Sequence, residues 1–435
     1  MIAGNVTTIS TLSNGMRVVT DSMPHLETVS LGVWVDVGAR HEPVDLHGVS
    51  HMLEHMAFKG TARRSAREIA EVVENVGGQM NAYTSRECTA YYVQLLKNDV
   101  PLAVDILSDI LLNSVFDDAE LQREKAVIIQ EIGQAHDTPD DLVFDMLQEV
   151  SYPEQALGRS ILGTADAVEA IGRGGLRDYM ASHYSADKMV LAAAGGVEHD
   201  QIVALAEQAF AALSSGKTKS GSVDTGVGAV RGANFAGGDR RAMRDLEQVH
   251  IAFALDGVTY DDPDYIAAQV SSAVLGGGMS SRLFQEVREK RGLVYSIFSF
   301  ASSYRDGGQF GVYAGTGSDQ VAELIPVVAG EMGGLAGRAV PDEVARAKAQ
   351  LKAGTLISLE SSSSRCEQIA RQILVYGRVL TIEELVERID EVDEARVEKV
   401  TARVLGSSPP ALAAIGPLAA LPDYDFIADR FSYRV

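Results

Sequence analysis

Two histidines and a glutamate stand close together in the run Leu46-His-Gly-Val-Ser-His51-Met-Leu-Glu54-His55-Met-Ala-Phe-Lys-Gly60. The run reads as a helix that Gly60 stops. At about 100° per residue, His51, Glu54 and His55 project within a sector of roughly 100°. Two imidazoles so placed can share one metal ion. Glu54 beside them is positioned to take a proton from a water at that ion rather than to bind the ion itself. At this composition the spacing arises by chance roughly 0.03 times per chain, so the competing reading, a polar helix face with two histidines, is the weaker one.

A catalytic zinc takes three protein ligands and keeps one position open, so the third must come from another element. The helical pattern Asp118–Ala135 offers Glu120, Glu124 and Glu131. Glu124 and Glu131 lie about 20° from eclipsed on a helix, so one can ligate while the other orients a ligand histidine. Spacing leaves open which does which.

The elements that must hold these groups recur along the chain. Glu27–Asp36 reads as a strand and returns as Glu247–Asp256, about 220 positions later. The same offset carries Asp99, ahead of the helical pattern Pro101–Leu112, onto Asp319, ahead of Val321–Met332. One offset kept by strand and helix points to duplication of a domain of about 200 residues. Strand patterns at Ser30–Val37, Asn81–Leu96, Met189–Val197 and Gln309–Tyr313 are mixed with long helical ones. The expected fold is α+β: two homologous domains, each a mixed sheet with helices packed on one face. The domains are placed at 1–213 and 239–435, with a glycine- and serine-rich linker over 214–238. At the repeat offset, Ser271, Val274, Leu275 and Leu351 stand where the first copy has His51, Glu54, His55 and Glu131. Only the first copy is expected to carry metal, one ion per chain.

Composition excludes other classes. With 46% apolar residues over 435 positions the chain can bury large cores. Thirty-eight basic residues against 60 acidic ones give a net charge of −22, which disfavours nucleic acid and anionic membranes and is compatible with a cationic ligand or with solubility alone. Cys88 and Cys366 form no CxxC pair and read as reduced thiols. With no secretory pattern at the N-terminus, a cytoplasmic location is expected.

The His51-x-x-Glu54-His55 pattern followed by Glu131 resembles the inverzincin zinc peptidases of the pitrilysin and mitochondrial processing peptidase superfamily, most of all the processing-peptidase branch. The likeness continues through Asn81-Ala-Tyr-Thr-Ser-Arg-Glu87, Gly158-Arg-Ser-Ile-Leu-Gly163, Val190–Val197, Arg388-Ile-Asp-Glu-Val392 and Ala414-Ile-Gly-Pro-Leu418, and so spans both halves. It implies a zinc metalloendopeptidase acting on presequence-like peptides in an enclosed chamber. Glu54 would be the base, His51, His55 and Glu131 the ligands, and Glu124 the group behind them. It also implies that Arg288 and Tyr295 hold substrate and the developing oxyanion, a role suited to a guanidinium and a phenol. Asn81, Ala82 and Tyr83 read as a strand to which an extended peptide could add. Asp141 and Asp145 match positions that present acid to an arginine upstream of the cleaved bond, although a glutamate is usual at the first. Phe58 is placed in the pocket beyond that bond. Because the metal sits in one copy and Arg288 and Tyr295 in the other, a homodimer closing a shared chamber is expected, with a related second subunit as a variant of it. The alternative is a non-catalytic scaffold subunit, whose mark would be a damaged metal motif.

Overall fold

The computed structural model describes residues 6–216 and 232–432. The expected linker over 214–238 lies largely outside them. The strands are β1 (Val6–Thr11), β2 (Arg17–Ser22), β3 (Thr28–Val35), β4 (Gln79–Thr84), β5 (Thr89–Leu96), β6 (Met189–Gly195), β7 (Gly238–Met243), β8 (Val249–Asp256), β9 (Val294–Ser303), β10 (Gly308–Thr316) and β11 (Ala411–Gly416). They form two mixed sheets, ordered β1-β2-β6-β3-β5-β4 and β7-β11-β8-β10-β9. In the first only β2 and β6 run parallel, and in the second only β7 and β11. With β1 set aside, the sheets correspond strand for strand in order and direction. That is the duplication the repeat offset pointed to.

Each sheet has one face against several helices. In the first, Val33, Tyr91, Val93 and Leu191 pack with Met52, Leu53 and Ile106 of the helices Val49–Ala57 and Val100–Leu112. The other face is covered too, by a single helix from the far half of the chain. Val19, Trp34, Ala90, Val190 and Ala192 meet Cys366, Ile369 and Ile373 of Ser362–Tyr376. The second sheet receives Pro139–Ser151 in the same way, with Val143, Met146 and Leu147 on Ala252, Ala413 and Ile415. Alanines on these strands let a helix lie close. The described residues therefore gather as 6–133, 160–216 and 357–379 in a first unit and 134–159, 232–356 and 380–432 in a second. Among them, no helix is long and apolar enough to cross a membrane.

A buried ion pair pins the exchanged helix to the first sheet. Arg365 Nε and Nη2 donate to Asp21 Oδ2 at 2.9 and 2.7 Å, and Thr7 Oγ1 donates to the same oxygen at 2.6 Å. Both side chains are almost wholly buried. Arg365→Met leaves the Asp21 carboxylate without its countercharge, so a loss of about 3–5 kcal/mol is expected. Thermal unfolding of the full chain reads it as a lowered midpoint. Adding Asp21→Leu should recover much of the loss, because an apolar pair of similar volume avoids the desolvation cost.

Two local expectations change. The strand pattern Asn81–Leu96 is not one strand: it folds back at residues 85–88 into the hairpin of β4 and β5. The helix expected over 46–60 spans only Val49–Ala57, because Val44–Leu46 forms a separate single turn and Gly48 sits at φ 93°. Only glycine adopts that angle cheaply.

Candidate active site

The helix Val49–Ala57, called the motif helix below, buries Val49, Met52, Leu53 and Met56 in the first core and turns Glu54 and His55 toward a more open side. A carboxylate holds its start. Glu42 accepts from the Gly48 N–H at 2.7 Å and the Ser50 N–H at 2.8 Å, satisfying two of the orphan donors a helix exposes at its N-terminus. Gly163 packs against that turn so tightly that a Cβ there would lie 2.7 Å from the His47 carbonyl oxygen. Gly163 thus serves the placement of the metal motif from more than one hundred residues away.

Three ligand-type groups converge. His51, His55 and Glu131, the last from the helix Asp118–His136, bring one donor atom each within 4.8 Å of one another, and no other such group of three exists among the described residues. Glu131 Oε2 is 3.7 Å from His51 Nε2 and 3.5 Å from His55 Nε2. These separations are too long for hydrogen bonds. They are close to the spacing of about 3.3 Å between atoms that each lie about 2.0–2.1 Å from one tetrahedral zinc. Two ring nitrogens and a carboxylate are also the donors zinc prefers, so the residues present fit the ion. Burial, with His55 nearby, pushes the His51 imidazole down to about 4, and at neutral pH it is therefore uncharged, the form that ligates.

Glu124 lies behind this group. Its Oε2 takes a hydrogen bond from His55 Nδ1 at 2.9 Å, and its Oε1 holds Lys59 Nζ at 2.7 Å. The bond to Nδ1 leaves His55 Nε2 free for the metal and fixes the ring plane. Of the two glutamates that spacing could not separate, the structure puts Glu131 beside both Nε2 atoms and Glu124 on the far side of one ring. His51 has no such support, since its Nδ1 is buried without a hydrogen-bond partner.

Glu54 stands next to the cluster without belonging to it. Burial pushes its carboxyl up, against hydrogen bonds from Thr84 and the charge of His55, while Glu131 adds to the rise. Thr84 ends β4, the terminal strand of its sheet. Asn81, Ala82 and Tyr83 lie on that strand but do not all point together: Ala82 is buried in the core under the motif helix, whereas Asn81 and Tyr83 face the opposite side of the sheet. On the strand's outer edge the Ala82 N–H is occupied by the Asn81 side chain at 2.8 Å.

The remaining expected residues fall as follows. Phe58 ends the motif helix and packs partly buried against the first core. Arg288 and Tyr295 are together in the second unit, the guanidinium 5.8 Å from the tyrosine ring centre and 4.7 Å from that of Phe284. Arg288 sits in a π-helical segment, Phe284–Lys290, a rare geometry that recurs at functional sites. Tyr295, at the start of β9, is 75% exposed and so is no core tyrosine. Asp141 and Asp145 share one side of Pro139–Ser151, also in the second unit. The counterparts of His51, Glu54, His55 and Glu131 there carry no metal-binding group: Ser271 Oγ donates to the Ala267 carbonyl at 2.8 Å, Val274 and Leu275 are core, and Leu351 packs partly buried against them.

Residues 17–165 match the family described as Insulinase (Peptidase family M16), and residues 170–351 match the Peptidase M16 inactive domain. The mitochondrial-processing peptidase subunit beta of Mus musculus is 38% identical over 98% of this chain and 88% of its own length. The chain belongs to the M16 peptidase family. A probable beta subunit of the same peptidase from Arabidopsis thaliana is 39% identical over 96% of this chain and 80% of its own. A Streptomyces coelicolor zinc protease is 37% identical over 94% and 89%. The crystal structure of a protease from Helicobacter pylori aligns with a TM-score of 0.86 over 95% of this chain and all of that one, at 20% identity, which speaks for the fold alone. As an M16 peptidase the chain is a zinc-dependent protease, and the one group of three metal-ligating side chains among the described residues lies in the stretch that matches the Insulinase description.

Sequence reading did not single out Glu42, Lys59 or Thr84. Each acts through a contact whose partner is set by tertiary packing; Lys59 and Thr84 lie inside runs quoted above, but no spacing marks them there.

Proposed function

We propose that the chain is an endopeptidase that cleaves extended, preferably basic, peptide segments laid along β4, with Glu54 as general base. The observation that carries this is the placement of Glu54 between the His51–His55–Glu131 group and the end of an edge strand. His51, His55 and Glu131 would hold the zinc. Bound there, zinc withdraws electrons from a carbonyl and makes a neighbouring water more acidic. Glu54 receives the proton that the water loses in attacking and hands it to the departing amine. Its raised pKa suits both halves of that task. An added strand takes over the Ala82 N–H from Asn81 and leaves that amide free to bond the peptide, so binding costs no unpaired donor. Hydrolysis of a fluorogenic peptide panel, lost to a chelator and restored by zinc, tests the reading. A chain with no zinc-dependent cleavage of any peptide would be the scaffold subunit instead.

Asp141 and Asp145 are proposed as an anionic pocket for an arginine before the cleaved bond. Replacing both by asparagine is expected to reduce the preference for arginine over a neutral residue by about tenfold in kcat/KM, the scale of one charge-assisted contact. An unchanged ratio would place the pocket elsewhere.

Arg288 and Tyr295 are proposed to act on substrate held at the zinc of a second copy in a dimer. Glu54→Gln and Arg288→Ala chains, each nearly inactive, should then regain activity when mixed and allowed to exchange. Exchange shown by mass measurement without recovery would refute sharing.

A further inference from the structure

The face of β4 turned away from the motif helix plays no part in the chemistry above, yet it opens on a cavity of about 620 Å³ within the first unit. Trp34, Tyr92 and Tyr83, from the adjacent strands β3, β5 and β4, line it, with Ser363, Ser364 and Glu367 of the helix Ser362–Tyr376 opposite. The polar atoms form a chain. Trp34 Nε1–H donates to the Tyr83 hydroxyl at 3.1 Å, and that hydroxyl donates to Glu367 Oε1 at 3.2 Å. The Tyr83 and Tyr92 rings lie 6.2 Å apart at 57°. The Glu367 carboxylate is 45% exposed, and Arg371, one turn along, approaches it only to 3.8 Å. A same-helix pair that long and that open neutralises little of its charge.

We propose that this cavity is a subsite for a lysine or arginine side chain of the bound peptide. The inference rests on the reading that peptides add to β4. Successive side chains of an added strand point to opposite faces of the sheet. Those of one parity face Ala82, Thr84 and the motif helix; those of the other face the cavity. The partly open Tyr83 and Tyr92 rings, set over the almost wholly buried Trp34, with a carboxylate at the end of the space suit a cation, whose stem packs on the tyrosine faces while its head meets the charge. An acidic side chain is repelled by Glu367, and an apolar one gains nothing from its charge. Neither Asp141 nor Asp145 lines this pocket.

Trp34 is the only tryptophan of the chain and reports on the cavity directly. The experiment titrates zinc-loaded Glu54→Gln protein, which binds without turnover, with peptides carrying arginine or its uncharged analogue citrulline at successive positions. Trp34 emission and affinity are both followed. At alternate positions arginine should shift the emission and bind about tenfold more tightly than citrulline, the range of one desolvated cation–aromatic and carboxylate contact. Adding Glu367→Gln, a substitution of equal shape on an exposed helix position, should bring that ratio to about one with the circular dichroism unchanged. An equal ratio with and without Glu367→Gln, or an emission indifferent to the arginine peptide, overturns the subsite. Failure of the peptidase reading looks different: the unmutated zinc-loaded chain would hydrolyse none of the peptides, while the Trp34 titration would still report what the cavity binds.

Discussion

Glu54→Gln is expected to lower kcat by about 10²- to 10⁴-fold while each chain keeps its zinc. The side chain keeps its length and its contact with Thr84, and the three groups of the metal cluster are untouched. What disappears is the basic oxygen, since an amide has no place for the proton that an attacking water must lose. Zinc content measured by elemental analysis beside turnover of one peptide separates the two effects. Full activity in this variant would mean that another group is the base. Loss of zinc along with activity would make Glu54 a ligand.

The second large effect separates two glutamates on one helix. His51→Ala, His55→Ala and Glu131→Ala each remove one of the three donors that converge, so each should lose zinc and with it all measurable turnover. Glu124→Gln leaves the donors in place and weakens only the grip on the His55 ring. Its zinc affinity should fall by about 10- to 100-fold, with activity returning when zinc is supplied in excess. Competition with a chelator of known affinity measures both. If Glu131→Ala kept its zinc and Glu124→Gln did not, the assignment of the two would be reversed.

The sequence made parts of this site legible for a physical reason. His51, Glu54 and His55 are close in the chain, and helix geometry converts their spacing into a common side without further knowledge. The third ligand was not accessible in that way. Glu124 and Glu131 occupy nearly the same side of Asp118–His136, and only the crossing of that helix over the motif helix decides which reaches the Nε2 atoms. Glu42 and Thr84 were invisible because a capping carboxylate six residues from its helix, or a threonine at a strand end, carries no spacing rule. The hairpin β4–β5 was misread as one strand because its turn, Ser85-Arg-Glu-Cys88, contains neither glycine nor proline. A sign of the helix on the second face of each sheet was present but unused. Met-Val-Leu-Ala-Ala-Ala-Gly in β6 and Ala-Leu-Ala-Ala-Ile-Gly in β11 are apolar at every position, as strands covered on both faces are.

The exchange of those helices bears on how the chain comes into being. During synthesis the strands of the first sheet leave the ribosome long before Ser362–Tyr376 does, so the face bearing Trp34, Ala90, Val190 and Ala192 waits for a cover until most of the protein has been made. The second sheet has the opposite history, for Pro139–Ser151 is already available when β8 and β11 emerge to use it. Contacts that join residues more than three hundred positions apart, such as Arg365 with Asp21, form slowly and late. The nascent first half therefore carries an apolar face that finds its cover only when Ser362–Tyr376 emerges, a surface of the kind that invites aggregation until then.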